Sequence, residues 1–207
     1  MTPYAEDLAN GIERLGLNAT QEIQQKMLNY LALMQKWNKV YNLTAINQPK
    51  LMVSNHLLDS LAVLPYLWPG RWLDVGCGAG LPGIVLALMR PQWMFTLLDS
   101  NNKKISFVRQ AIIELGIRNV EVSCARVEKW QAEEKFDGII CRAFTETSDF
   151  IAMTRHLLVE GGSWAVMKGV LETGLDRLPQ HIKIEQIIPL QVPKLEAARG
   201  LVILKAN

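Results

Sequence analysis

Four glycines fall within eight residues in the stretch Leu73–Gly83, LDVGCGAGLPG, directly after one apolar run and directly before another. Chains concentrate glycine where backbone must turn sharply or come close to another group without side-chain collision. The loop also opens an alternating region. From Arg71 onward, short strand-like runs (WLDVG; MFTLLD, Met94–Asp99; VEVSC, Val120–Cys124; FDGIIC, Phe136–Cys141; SWAVMK, Ser163–Lys168) are separated by the amphipathic segments GIVLALM, NNKKISFVRQAIIELG, RVEKWQAEE and TSDFIAMTRHLLVEGG. Strands at that spacing, with helices between them, imply right-handed βαβ crossovers and a parallel sheet. The end of the chain breaks the alternation. IKIEQIIPLQVP and RGLVILKAN have only KLEAA between them, which predicts an antiparallel hairpin at one sheet edge. The expected fold is α/β: a seven-stranded, doubly wound, mostly parallel sheet, Rossmann-like in plan, with a terminal hairpin.

The residues before the loop read as helices. Thr20 is suited to N-cap TQEIQQKMLNYLALMQKWNKVYNL, where Ile23, Met27, Tyr30, Leu31, Met34 and Trp37 recur at three- and four-residue steps. LMVSNHLLDSLAVLPYL, after Pro49, is a second helical stretch, and WPG (Trp68–Gly70) ends it. Two regions are therefore expected: a helical N-terminal cap over residues 1–68, packed on a main domain over 69–207.

Composition narrows the classes. With 49% hydrophobic and 20% charged residues in 207, the chain can bury a core and is no candidate for disorder. A net charge of +2 does not announce a nucleic-acid binder, so any RNA-facing surface must come from local clustering. No apolar run approaches the ~18 residues of a membrane span, so no membrane is expected as partner. The opening MTPYAEDLANG has neither the basic nor the apolar region of a secretory signal, and a cytoplasmic location is expected. Cys77, Cys124 and Cys141 lie in no C-x-x-C and have no histidine at ligand spacing, so reduced thiols and no metal are expected.

Two ligand chemistries compete for the loop. GAGLPG fits the G-x-G-x-x-G of dinucleotide enzymes, whereas GCGAG behind the acidic Asp74 suits the loop of S-adenosylmethionine enzymes. A Walker loop is excluded, because no Gly-Lys-Ser/Thr occupies the required place. Ligands of such sheets bind at the carboxyl ends of the strands, beside the first one. There Gly76, Gly78 and Gly80 can bring backbone up to a ligand. Pro82 suits the first turn of the next helix, whose N-terminal amides could take a carboxylate. Asp99, ending the second strand, can accept from both ribose hydroxyls in either chemistry. The rest of the chain separates the two. There is little room for a dehydrogenase's substrate domain, the terminal hairpin is foreign to that plan, and Asp74 is a buried charge suited to a ligand's amino end. These features favour methyl transfer.

The segment after the fourth strand bears on the acceptor. The chain has CRAFTE (Cys141–Glu146) there and not the Asn/Asp-Pro-Pro-aromatic motif of amino-group methylases. Cys141 ends an apolar run and reads as a small buried residue more than as the thiolate that carbon-5 methylation needs. A ring nitrogen such as guanine N7 carries no proton and attacks the sulfonium methyl directly, so alignment and exclusion of water are the main requirements.

With these motifs assembled, the chain resembles the RsmG family (formerly GidB, glucose-inhibited division protein B) of bacterial small-subunit rRNA guanine-N7 methyltransferases. The likeness runs through WNKVYNLTAI, HLLDSL, LDVGCGAGLPGIVLA, LLDSNNKKISFV, ARVE, CRAF, MKG and RGLVILK. It implies methyl transfer from S-adenosylmethionine to N7 of one guanine in the 530 loop of 16S rRNA, free or in the small ribosomal subunit. Carried over by position, Gly76, Gly78 and Leu81, with Gly80 between, resemble the family's cofactor loop. Asp99 and Ser100 would meet the ribose. Val127 and Glu128 fall where the family has Ala-Glu beside the adenine; the valine is a departure that leaves the backbone role intact. Arg142 would lie beside the methyl and bond the acceptor base or the RNA backbone, while Lys168 and Arg199 would contact RNA at the site edge. His56, Asp59 and Ser60 share one helical face that could close over the site or simply pack a helix. Asn42 and Thr44 could contact RNA or merely end the long helix. Trp37 and Tyr41 read as core before base-stacking groups. A small-molecule methyltransferase and a non-catalytic ribosome-assembly module binding S-adenosylmethionine or RNA are the rival readings. Nothing demands an obligate protein partner, and a monomer is expected.

Overall fold

In the computed structural model, residues 3–142, 146–169, 171, 175 and 177–206 are described; Ala143, Phe144 and Thr145 of CRAFTE lie outside them. Seven strands form one sheet in the order β3-β2-β1-β4-β5-β7-β6. They are β1 (Arg71–Val75), β2 (Met94–Asp99), β3 (Val120–Cys124), β4 (Phe136–Arg142), β5 (Leu158–Lys168), β6 (Ile182–Leu190) and β7 (Arg199–Ala206). Strands β1 to β5 pair in parallel, while β7 runs antiparallel between β5 and β6. The terminal hairpin is thus present, its second strand β7 lying between β5 and β6 and its first strand β6 at the edge. The strand order reverses at β1, the switch point beside which open α/β sheets bind ligands.

Alternation along the central strands divides the core between two faces. Trp72, Phe95, Leu97 and Ile140 point to the face covered by α1 (Pro3–Arg14), α2 (Gln21–Tyr41), α5 (Gly83–Met89) and α6 (Asn102–Leu115). Leu73, Leu98, Ile139 and Trp164 point to the other, covered by α7 (Thr147–Thr154) through Phe150 and Ile151. The buried cluster of the first face continues without a break into Leu8, Met27, Tyr30 and Met34, so the N-terminal helices share the sheet's core.

Local sequence sets the helix ends. Thr20 Oγ1 accepts from the Ile23 N–H at 3.3 Å, and α2 closes at Asn42, whose φ of 50° is the left-handed conformation asparagine tolerates. Asn101 Oδ1 accepts from Lys103 and Lys104 at the start of α6, and Gly116 ends it at φ 62°.

Two segments depart from the sequence reading. The glycine-ended run LLVEGG does not finish a helix. A 3-10 turn comes after α7, and Leu158–Gly162 becomes the first half of β5, with a register shift opposite Phe136 and Gly138 and Gly161 at φ 76°. The helix after Pro49 is also not uniform. It runs as α3 (Pro49–Met52), a π-helical stretch (Val53–Leu58) and α4 (Asp59–Leu61). In that wide turn the Asp59 N–H donates to the Ser54 and His56 carbonyls and bypasses Asn55 O, the acceptor it would use in an α-helix. The bypassed carbonyl is left open to another donor.

Tyr30 ties the N-terminal helices to the glycine loop. Its ring lies 6.0 Å from that of Phe107, and its fully buried hydroxyl donates to Ala79 O at 2.6 Å. Burial holds the phenol well above its ordinary pKa, so it stays a donor. Tyr30→Phe leaves a buried carbonyl unpaired, and a loss of about 1–3 kcal/mol is expected in urea unfolding, with the fold retained.

Candidate functional site

The loop after β1 is built from both sides by carboxylates. Gly76, Gly78 and Gly80 take φ values of 69°, 58° and 92°, which side-chain-bearing residues rarely adopt. Asp99 Oδ2 accepts from the Gly78 N–H at 2.9 Å, and its Oδ1 from the Asn101 N–H at 2.8 Å. Asp99 therefore shapes the loop before it meets any ligand, keeping one lone pair on each oxygen. Asp74, fully buried within β1, accepts from the Gly83 N–H through Oδ2 at 2.8 Å. A Cβ on Gly83 would come within 2.8 Å of that oxygen and 2.9 Å of Leu97, so the contact requires glycine. Asp74 Oδ1 has no partner among the described residues. Burial pushes this carboxyl up to about 7, against the Gly83 N–H and the Arg142 guanidinium, which pull it down.

This geometry corrects one expectation. Helix α5 begins at Gly83, with Pro82 as its N-cap and not inside the first turn. Its first amides are taken, Gly83 by Asp74 and Ile84 by Gly80 O. They are not free for a ligand carboxylate. Lys104 places its ammonium 4.0 Å from where a Cβ on Gly78 would lie.

Ser100 follows Asp99, and Val127 and Glu128 come shortly after the strand that pairs with it. Register pairs Asp99 with Cys124, and the Ala125 N–H donates to Asp99 O at 3.2 Å. Val127 is buried at the head of a short 3-10 turn, while Ser100 and Glu128 are exposed. Leu81 is buried beneath the loop.

A second cluster stands across from Asp74. Arg142, at the end of β4, donates from Nη1 to Asp59 Oδ2 at 3.3 Å and to the bypassed Asn55 O at 3.1 Å. Arg199, at the start of β7, donates from Nε to Asp59 Oδ1 at 2.9 Å. Asp59 is 2% exposed, whereas both arginine side chains are 26% exposed. One buried carboxylate thus holds two guanidiniums that reach the surface. His56 is also buried. Its Nε2 pairs with Thr44 Oγ1 at 3.1 Å, Nδ1 has no partner among the described residues, and burial, then Arg142, lower its pKa to about 4. Ser60 Oγ donates to His56 O at 2.6 Å. The face bearing His56, Asp59 and Ser60 therefore does not close over the site from outside. All three are buried, and Asp59 holds Arg142 and Arg199 from below.

The other expected residues divide. Lys168 donates to Thr147 Oγ1 at 2.8 Å and lies opposite Gly200, next to Arg199, so it belongs to the same rim. Thr44 joins through His56. Asn42 is the exposed end of α2, away from the cluster's bonds. Trp37 packs edge-on against Phe107 at 5.7 Å, as core. Cys141 is buried and burial pushes its thiol well up, which removes the thiolate a carbon-5 route needs. Among the described residues no three His, Cys, Asp or Glu side chains gather as a metal site would, and no helix is long and apolar enough to cross a membrane.

The profile of one family, rRNA small subunit methyltransferase G (GidB), matches residues 23–202. The chain belongs to that family. Relatives bearing the name Ribosomal RNA small subunit methyltransferase G agree with it end to end. That of Laribacter hongkongensis is 48% identical over 95% of this chain and 96% of its own length. That of Chromobacterium violaceum is 48% identical over 98% of each. Among solved structures, N-methyltransferase NodS from Bradyrhizobium japonicum, in complex with S-adenosylhomocysteine, superposes with a TM-score of 0.59 at 15% identity, covering 86% of this chain and 97% of that one. TrmN from Thermus thermophilus gives 0.58 at 18%, covering 75% and 53%. These two likenesses establish the fold of class I S-adenosylmethionine-dependent methyltransferases.

The donor set suits that family's cofactor. A buried carboxylate with one unpartnered oxygen fits an ammonium, and the spare lone pairs of Asp99 fit a diol. Sequence reasoning misses Tyr30, Gly83, Lys104 and the Asn55 carbonyl. Gly83 stands in the loop with no partner to signal its role, and Tyr30 is hidden in an apolar stripe.

Proposed function

We propose that this chain transfers a methyl group from S-adenosylmethionine to N7 of a guanine in the 530 loop of 16S rRNA. The observation that carries the reading is the pair of guanidiniums fixed by buried Asp59, one of them acting on the buried Asp74 carboxylate; family membership supports it. Asp74 binds the cofactor's amino end, Asp99 and Ser100 its ribose, Val127 and Glu128 flank the adenine, and Gly76, Gly78, Gly80 and Leu81 provide the close-fitting loop. When bound, the cofactor supplies a sulfonium methyl: the N7 lone pair forms the new N–C bond, the C–S bond breaks with its pair left on sulfur, and no proton moves. Arg142 orients the acceptor through N–H groups that Asp59 and Asn55 leave unused, and Arg199 and Lys168 hold the RNA at the rim. The protein's contribution is alignment and exclusion of water. Residues 1–68 act as a cap carrying part of the RNA surface, the enzyme works as a cytoplasmic monomer, and its substrate is the rRNA, free or in the small subunit.

Incubation with methyl-labelled cofactor and with 16S rRNA or small subunits lacking the modification should label a single N7 position. Absence of label on every ribosomal substrate, with free nucleosides or small molecules methylated instead, would overturn the reading.

A further inference from the structure

A concave, acid-free surface lies on the outer side of the C-terminal half of α2. Between Glu22 and Asp59 the sequence contains Lys26, Lys36, Lys39 and Lys50 and no acidic residue, and Asp59 is buried under its two arginines. Here the structure forms a groove of about 860 Å³, with Gln35, Lys36, Asn38, Lys39, Asn42 and Thr44 on its walls and no carboxylate in its lining. Lys36 and Lys39, one turn apart, share a helix face and are exposed. Neither makes an ion pair among the described residues, unlike Lys26, which meets Glu22 at 3.0 Å.

The groove has a fixed wall. Asn38 Nδ2 donates to Thr44 O at 2.9 Å and to Asn47 Oδ1 at 2.5 Å, while its Oδ1 accepts from the Thr44 N–H at 2.9 Å. One side chain thereby pins residues 44–47 against the helix. The groove also leads somewhere. Thr44 lines it and touches His56, and Asn55, the residue before His56, holds Arg142 through its carbonyl. At the same end of α2, Tyr41 is 42% exposed with its ring 5.2 Å from Trp37, an aromatic face open to a base.

We propose that this groove is where the rRNA backbone docks, with phosphates on Lys36 and Lys39, so that the strand passes Thr44 and delivers its base to Arg142. The proposal rests on the reading that rRNA is the substrate. Two ammonium groups with no carboxylate in the lining suit a phosphate backbone by charge, and the side-chain amides beside them offer it further donors.

The test is the Lys36→Ala/Lys39→Ala double variant of the full chain, assayed for binding to a 16S rRNA fragment across a salt series and for methyl transfer. Removing two phosphate contacts should reduce the slope of log affinity against log salt by about 1.4–1.8 and raise KM for RNA by roughly 10-fold or more. S-adenosylhomocysteine affinity and kcat at saturating RNA should stay within a few-fold, and Lys36→Arg/Lys39→Arg should restore both slope and KM. Unchanged slope and KM, with wild type methylating rRNA, would sink the docking surface and leave the activity standing. A wild type that neither binds nor methylates rRNA would remove both.

Discussion

Arg142→Ala should lower methyl transfer to rRNA by roughly 100-fold or more while S-adenosylhomocysteine binds within a few-fold of wild type. The asymmetry comes from the bonds. Arg142 spends only Nη1 on Asp59 and Asn55, and its remaining N–H groups make no hydrogen bond among the described residues. A planar fork fixed at one nitrogen and open at the others suits an acceptor oxygen, such as guanine O6 or a phosphate, and leaves N7 free to attack. Displacing a reacting atom by about 1 Å can cost 100-fold. The fold should survive, because Asp59 retains Arg199 at 2.9 Å and its buried charge stays paired. Removing Arg142 lets the Asp74 carboxyl rise further, but Arg142 is a smaller influence on it than the Gly83 N–H, which the variant keeps, so cofactor affinity measured near pH 8 should stay within a few-fold. Arg142→Lys should recover only part of the rate: one ammonium cannot keep Asp59 and Asn55 and still present a fork. Single-turnover kinetics beside calorimetry separates the outcomes. Equal losses in transfer and cofactor binding would make Arg142 a cofactor residue, and unchanged transfer would make it a bystander.

The arginine cluster also shows what the helical irregularity achieves. Had residues 53–58 been α-helical, Asn55 O would have bonded the Asp59 N–H. The wide turn releases that carbonyl to Arg142 and sets the Asp59 carboxylate under both guanidiniums. The N-terminal region thus completes the site, holding one side of it through Asp59 and the glycine loop through Tyr30.

How much of this is visible in sequence depends on the range of each interaction. Strands β2 and β3 are legible to the residue, β2 as an apolar run that ends at Asp99-Ser100-Asn101 and β3 as an alternating Val-Glu-Val run behind Gly116. The Thr20 cap is legible because its bond spans three residues. The start of β5 is not, since Leu157 and Leu158 continue the apolar spacing of α7 and only backbone geometry at Gly161 reveals the change. The π turn is hidden for a similar reason: LMVSNHLLDSL fits a 3.6-residue period well enough to mask one wider turn. Spacing places His56, Asp59 and Ser60 on one face, but whether that face looks outward depends on arginines 83 and 140 residues from Asp59. Tyr30 likewise finds its acceptor 49 residues away. Periodicity locates elements; it carries no signal for such pairings.

The second large effect concerns Asp74 and pH. S-adenosylhomocysteine affinity should fall as pH drops below about 7, by up to roughly 100-fold near pH 5, because an ammonium needs the ionised carboxylate. In the free protein the sign is opposite. The folded carboxyl lies above its ordinary value of 3.8, so its contribution to stability is full at low pH and is lost as pH rises through about 7. His56, lowered from 6.5 to about 4, contributes stability above 6.5 that is lost as pH falls through about 4. Between about 4 and 6.5 these two slopes oppose each other, so unfolding of the free protein masks Asp74. The ligand-induced rise in Tm isolates it, and that rise should grow from about pH 5.5 to 8. Asp74→Asn is the decisive variant. Its amide oxygen can still accept from Gly83, which preserves the loop, yet it offers no charge, so the variant should bind at all pH values as weakly as wild type does in acid. A wild-type binding profile that stays level across this range would mean that the buried carboxylate does not receive the ligand's amino group.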